Sequence, residues 1–240
     1  MTEKELTVET VLNKIKSRGY WQVIIRPTQF KKNRLSLQEC NQFVRECKVM
    51  LRGWDYPHIS SRSPPYVGGE DYMEALTDWD GHIELWRMYQ SGQFLHLFGC
   101  LEDWLAEEIP IFGRSRYSDI SPGSVLEVMN TLYRFTEIYE FASRLAQKKL
   151  FEETLFLSIT LYGMENRKLM FFDVRRCLGD YVCRVKNLSQ EKTITVNELL
   201  GKTHELALDH AIWVLEHFNW LSPPREILKE DQKKFLEGRI

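Results

Sequence analysis

The chain has 240 residues, 43% apolar and 28% charged, with a net charge of −2; this excludes a largely disordered chain and suits one large globular domain or two small ones. No run approaches the 18 apolar residues of a transmembrane helix, and residues 1–19 lack the apolar core of a secretory signal, so no membrane association and a cytoplasmic location are expected. The charge is uneven: residues 1–60 carry eleven Lys/Arg against six Asp/Glu, and residues 61–113 carry two against ten. Such a split marks either a basic surface beside an acidic one or two segments that pack together and compensate.

In chain order, Thr7 precedes Val8, Val11, Leu12 and Ile15 at helical spacing, and Gly19 supplies a stop, which predicts a first helix. Tyr20 to Ile25 reads as a strand ended by Pro27. Arg26, Lys31, Lys32 and Arg34 then form a basic loop able to contact phosphates. Ser36 and Glu39 make a capping box for a second helix with Cys40, Phe43, Val44 and Cys47 on its apolar side. Residues 49–52 continue as an extended segment, and the Pro, Gly and Ser content of residues 60–81 predicts an irregular loop there.

His82–Tyr89 and Gln93–Cys100 flank Ser91 and Gly92, the pattern of a hairpin with a two-residue turn. That register sets Arg87 opposite His96, on one face with Leu85, Tyr89, Phe94 and Phe98, while Glu84, Trp86 and Met88 point the other way. Ser121 and Pro122 open a long helix carrying apolar residues from Val125 to Ala146. A second hairpin is expected from Leu155–Tyr162 and Lys168–Val174 about Gly163–Asn166, with short strands at 181–186 and 192–196. Thr195 and Glu198 cap a further apolar helix running to about His217.

Ser222 and Pro223 start a charged last helix with only Ile227, Leu228, Phe235 and Leu236 to bury. Docking of its first turn would leave a mobile end, with Phe235 and Leu236 open to association. The fold class expected is α+β, a mixed or antiparallel sheet with two hairpins packed against several helices. Residues 1–221 form a single domain in this reading, with 222–240 as a terminal helix.

Three groups of residues could carry chemistry. Arg52, Trp54, Asp55 and His58 place a cation, an anion, an imidazole and a large aromatic at a strand end, a composition typical of binding sites; the alternative is that Trp54 and Tyr56 fill core while Arg52 pairs with Asp55. Joined by Arg87 and His96 they would make one composite surface. Asp78, Asp80, His82 and Glu84 alternate carboxylates with a histidine, a set that could converge on a divalent cation or else be a solvated acidic loop. Leu206, His210, Trp213 and His217 share a helix face, where two turns separate the histidines; they read as semi-buried packing residues. The five cysteines have no metal-type pairing and read as free thiols, and no glycine signature of a nucleotide site occurs. No cofactor is expected.

The words Leu51–Ile59 and Trp86–Phe94 resemble recurring segments of a family of uncharacterised prokaryotic proteins, over residues 10–105 in motif and the remainder in outline. Some of that family accompany nucleic-acid-related or defence genes. The resemblance implies no activity and carries over no catalytic residue. The expectation is a non-enzymatic binding module that takes nucleic acid or acts as a subunit of a larger assembly, with a protein partner or a homo-oligomer as its company. A metal-dependent hydrolase or nuclease built on residues 70–84 is the alternative.

Overall fold

The computed structural model describes residues 6–79, 81–105 and 120–239. It runs α1 (Val8–Lys16), β1 (Tyr20–Pro27), α2 (Leu37–Cys47), β2 (Tyr66–Val67), β3 (Tyr72–Trp79), β4 (His82–Tyr89), β5 (Phe94–Gly99) and a 3-10 turn at Leu101–Asp103. The second half gives β6 (Val125–Glu127), α3 (Val128–Gln147), β7 (Thr154–Tyr162), β8 (Lys168–Met170), β9 (Asn187–Thr195), α4 (Val196–Glu216) and α5 (Arg225–Leu236). Seven strands form one sheet in the order β2-β3-β4-β5-β1-β7-β9, every neighbour antiparallel, and β6 and β8 form a separate parallel pair. The α+β class is as the sequence predicts.

Strand alternation sorts the sheet into two faces. Trp21, Val23 and Ile25 of β1, Trp86 and Met88 of β4 and Leu157 of β7 belong to the main core, which α2, α3 and α4 complete. Leu76, Ile83, Leu85 and Leu97 lie on the reverse face, where Val11 and Ile15 of α1 cover them. Cover on both faces explains why burial is continuous over residues 73–77 of β3 and 83–86 of β4 rather than alternating, with Glu74, Thr77 and Glu84 buried among apolar neighbours. Local signals hold where they are short in range. Ser36 caps α2 in a reciprocal box with Glu39, and the Thr195 hydroxyl accepts from the Glu198 N–H.

Several expectations are corrected. The 60–81 segment is not irregular throughout: its last third is β3, joined to β4 in a hairpin. β8 does not return along β7; it pairs with β6, and the partner of β7 is β9, so residues 163–186 are an excursion. The buried Arg167 fixes that departure, since its guanidinium reaches Asp103 and the carbonyl oxygens of Gly163 and Val125. α3 begins at Val128 rather than at Pro122, because the Glu127 side chain accepts from the Asn130 N–H and acts as its cap.

The β4–β5 turn holds three residues, not two. The Gly92 N–H donates to the Tyr89 carbonyl at 2.9 Å and Tyr89 N–H to Gln93 at 2.9 Å, with Gly92 at φ +85°, the arrangement of a turn closed by a glycine bulge. His96 therefore faces Trp86, and Arg87 faces Leu95. A shift of one residue exchanges the faces, so His96 joins Glu84 and Met88 under the helices while Arg87 lies on the reverse side.

The end of α5 is also held. Phe235 is fully buried and stacks on Tyr133 with centroids 4.1 Å apart. Gln232 donates to Thr136 and to the His204 carbonyl, and Arg176 grips Asp231 at 2.6 and 2.8 Å. Of the first-turn pair expected to dock, Leu228 is buried at 1% exposure and Ile227 is 58% exposed. His210 is deeper than a boundary residue, at 1% exposure, and bonds the Tyr139 hydroxyl; burial pushes its imidazole down to about 3.

Candidate functional site

The loop from Arg52 to Ser63 is tied to the sheet and to α3 by buried polar contacts. Arg52 does not pair with Asp55. Its Nε and Nη2 reach the two oxygens of Glu137, each at 2.8 Å, and Nη1 donates to Asn130 at 2.9 Å. This is the bidentate geometry that favours arginine over lysine. Asp55 instead accepts from Lys48 at 2.9 Å and contacts the His58 Nδ1. Burial opposes ionisation of Asp55, but the His58 and Lys48 hydrogen bonds hold its carboxyl below the ordinary value.

Glu84 is the anchor of the loop. Its Oε1 accepts from the Trp54 indole at 2.9 Å, and its Oε2 from His96 at 2.7 Å and the His58 backbone N–H at 3.3 Å. The Trp86 indole donates to the His58 carbonyl at 2.9 Å. Burial alone would raise the Glu84 carboxyl; the donors, His96 first, bring it down to about 2. Burial lowers His96 in turn, so a neutral ring donates through Nε2, and its unpartnered Nδ1 is a lone pair rather than a stranded N–H.

These anchors set Trp54 between two imidazoles, with centroids 3.8 Å from both His58 and His82, and Trp79 beyond at 6.0 Å. The result is the wall of a cleft of about 820 Å³. Trp54, His58, Trp79 and Thr77 line it on the main-core side of the sheet, Arg62 lies 5.2 Å over the Trp79 ring, and Leu76 and Asp78 complete it from the reverse side. Trp79 is 45% exposed, so a large aromatic surface is offered to solvent where the loop meets β3.

Of the sequence candidates, Trp54 and His58 line this cleft and Asp55 supports it from behind. Arg52 lies behind the same loop, on the α3 side. Arg87 is separate. It pairs with Glu74 at 2.8 Å and lies 4.7 Å from the Tyr72 ring on the opposite face, so the composite surface of Arg52 with Arg87 does not form. His96 is buried beneath the loop.

The basic loop is largely structural. Lys31 and Arg34 both pair with Glu152, at 2.8 and 2.6 Å, and Arg34 also donates to the carbonyls of Gln29, Ser91 and Leu150. Arg26 lies 4.4 Å from the Phe156 ring, and Lys32 is exposed. The acidic set diverges: Asp78 pairs with Lys14 at 2.7 Å on the reverse face, while His82 and Glu84 turn to the core side and Asp80 is outside the described residues. Among the described residues no group of three or more His, Cys, Asp or Glu side chains could hold a metal ion.

Sequence reasoning missed Arg62 and the part that the end of β3 takes in the cleft. Trp79 stood inside a word read for its acids, and Arg62 inside a segment read as loop; only the register of β3 brings them together. No family model, curated protein or solved structure matches the chain.

Proposed function

We propose that the chain is a non-enzymatic interaction module, a subunit that holds a protein partner in the cleft between the 54–63 loop and β3. The observation that supports this reading is the exposed Trp79 facing a Trp54 fixed by Glu84, because a rigid aromatic surface in a concave site is the usual anchor of a protein contact. No helix among the described residues is long and apolar enough to cross a membrane, and a cytoplasmic setting is part of the proposal. Its five cysteines are free, four of them buried, which suits a reducing compartment.

Selection of a random dodecapeptide library on the immobilised protein tests the reading. Enriched peptides should bind the wild type in the micromolar range and lose at least tenfold in affinity on Trp79→Ser, a change at a solvent-facing position that spares the fold. Failure to enrich any peptide, or tighter binding of single-stranded oligonucleotides to the same cleft, would overturn it.

A further inference from the structure

Most of the charged side chains about the cleft are already matched. Asp78 pairs with Lys14 at 2.7 Å and Asp55 with Lys48 at 2.9 Å. Beneath the loop, Glu137 pairs with Arg52 and Arg134, and the charge of Arg134 also favours an ionised Glu84. Arg62 is the exception among the charged residues that line the cleft. It is exposed, and among the described residues its guanidinium has no hydrogen bond or ion pair; it lies over the Trp79 ring, 5.2 Å from the centroid.

The sequence holds this arginine in place by short-range means. The Ser60 hydroxyl accepts from the backbone N–H groups of Arg62 and Ser63, at 3.0 and 3.4 Å, a serine turn that sets the backbone before Pro64 and Pro65 restrict it further. A guanidinium over an indole face is attracted to the ring and keeps its N–H donors for other partners. Those donors form a planar fork that fits the two oxygens of a carboxylate. Leu6, Ile59 and Trp79 line the cleft around it, and an ion pair formed against such apolar groups is less screened by water than one on an open surface.

We infer that the partner segment carries an acidic side chain, Asp or Glu, next to an aromatic one, so that the carboxylate meets the Arg62 fork and the ring lies against Trp79. This rests on the interaction reading above and names the chemistry of the partner. Among the described residues that line the cleft, one unmatched cation suits one carboxylate. A nucleic-acid strand would need several unmatched cations along its phosphates, and Lys14 and Lys48 are held by Asp78 and Asp55. The acidic residue also excludes neutral competitors, because a neutral segment would cover Arg62 and leave it without a counter-charge.

Exchange of charge on both sides of the contact, with the full chain, provides the test. Peptides enriched on the wild type should carry Asp or Glu, and its replacement by Asn or Gln should weaken binding about tenfold or more, the usual worth of a hydrogen bond to a charged group; this comparison needs no protein variant. On Arg62→Gln, a change at an exposed position, the same replacement should alter affinity by less than about twofold. Selection on Arg62→Glu should enrich Lys or Arg in place of the acid. Trp79-dependent peptides without an acidic residue, or an equal loss on wild type and Arg62→Gln, would overturn the acidic partner while the interaction reading stands. Enrichment of no peptide would remove both.

Discussion

Glu127 caps α3 with its own side chain, accepting from the backbone N–H groups of Asn130 and Phe172, yet it is buried beside a second carboxylate. Glu102 accepts from the Glu127 N–H at 3.1 Å and from Asn130 at 3.2 Å, and its other oxygen is buried without a partner. Burial first, with the charge of Glu102 adding to it, lifts the Glu127 carboxyl to about 7. A carboxyl raised in the folded state favours folding fully below its unfolded pKa and loses that contribution as pH rises through the folded value. Stability should therefore fall between about pH 4.5 and pH 7 by up to ~3 kcal/mol from this group, at ~1.4 kcal/mol per pKa unit. Urea unfolding across that range should show the decline in the wild type and a clearly shallower one in Glu127→Gln, whatever the variant's absolute stability. An equal slope in both would assign the pH dependence elsewhere.

At the scale of elements, α5 buries Leu228, Asp231, Gln232 and Phe235 at helical spacing, and its hold is the Phe235 contact with Tyr133. Phe235→Ala should cost about 3–5 kcal/mol in urea unfolding, the usual range for truncating a buried phenylalanine. A loss below 1 kcal/mol would mean that the helix end is loosely packed. The helix itself was legible in the sequence, but its buried side was not, because Arg176 and Tyr133, which receive Asp231 and Phe235, are remote in the chain. The same contrast recurs elsewhere. The caps of α2 and α4 involve residues three apart and read directly. The β4–β5 register depended on whether Gly92 closes a two- or three-residue turn, and one residue exchanged the positions of Arg87 and His96. Trp54 and His58 stood out as site residues from their own chemistry, whereas Arg62 and Trp79 meet only in the folded chain.

For the whole molecule the order of the sheet matters more than any single contact. β1, the first strand among the described residues, lies between β5 and β7 and pairs with both over nearly its full length. Its core-facing side, Trp21, Val23 and Ile25, is 2% exposed or less, and it is completed by helices from the second half of the chain, α3 and α4. That closure was not readable from hairpin signals, since in the seven-stranded sheet only β2–β3, β3–β4 and β4–β5 join strands that are neighbours in sequence.

The central place of β1 has a consequence for biosynthesis. The strand ends at Pro27, and β7 does not begin until Thr154. At a synthesis rate of roughly 5–20 residues per second, the interval is on the order of ten seconds. For that time the emerging polypeptide carries its middle strand with one side unoccupied, and only the β3–β4–β5 meander can have formed against the other. Ribosome-bound chains arrested shortly before β7 should accordingly be cut readily by protease within β1, and chains arrested well past β9 should resist; equal resistance at both arrest points would show that the N-terminal half settles without its later neighbours.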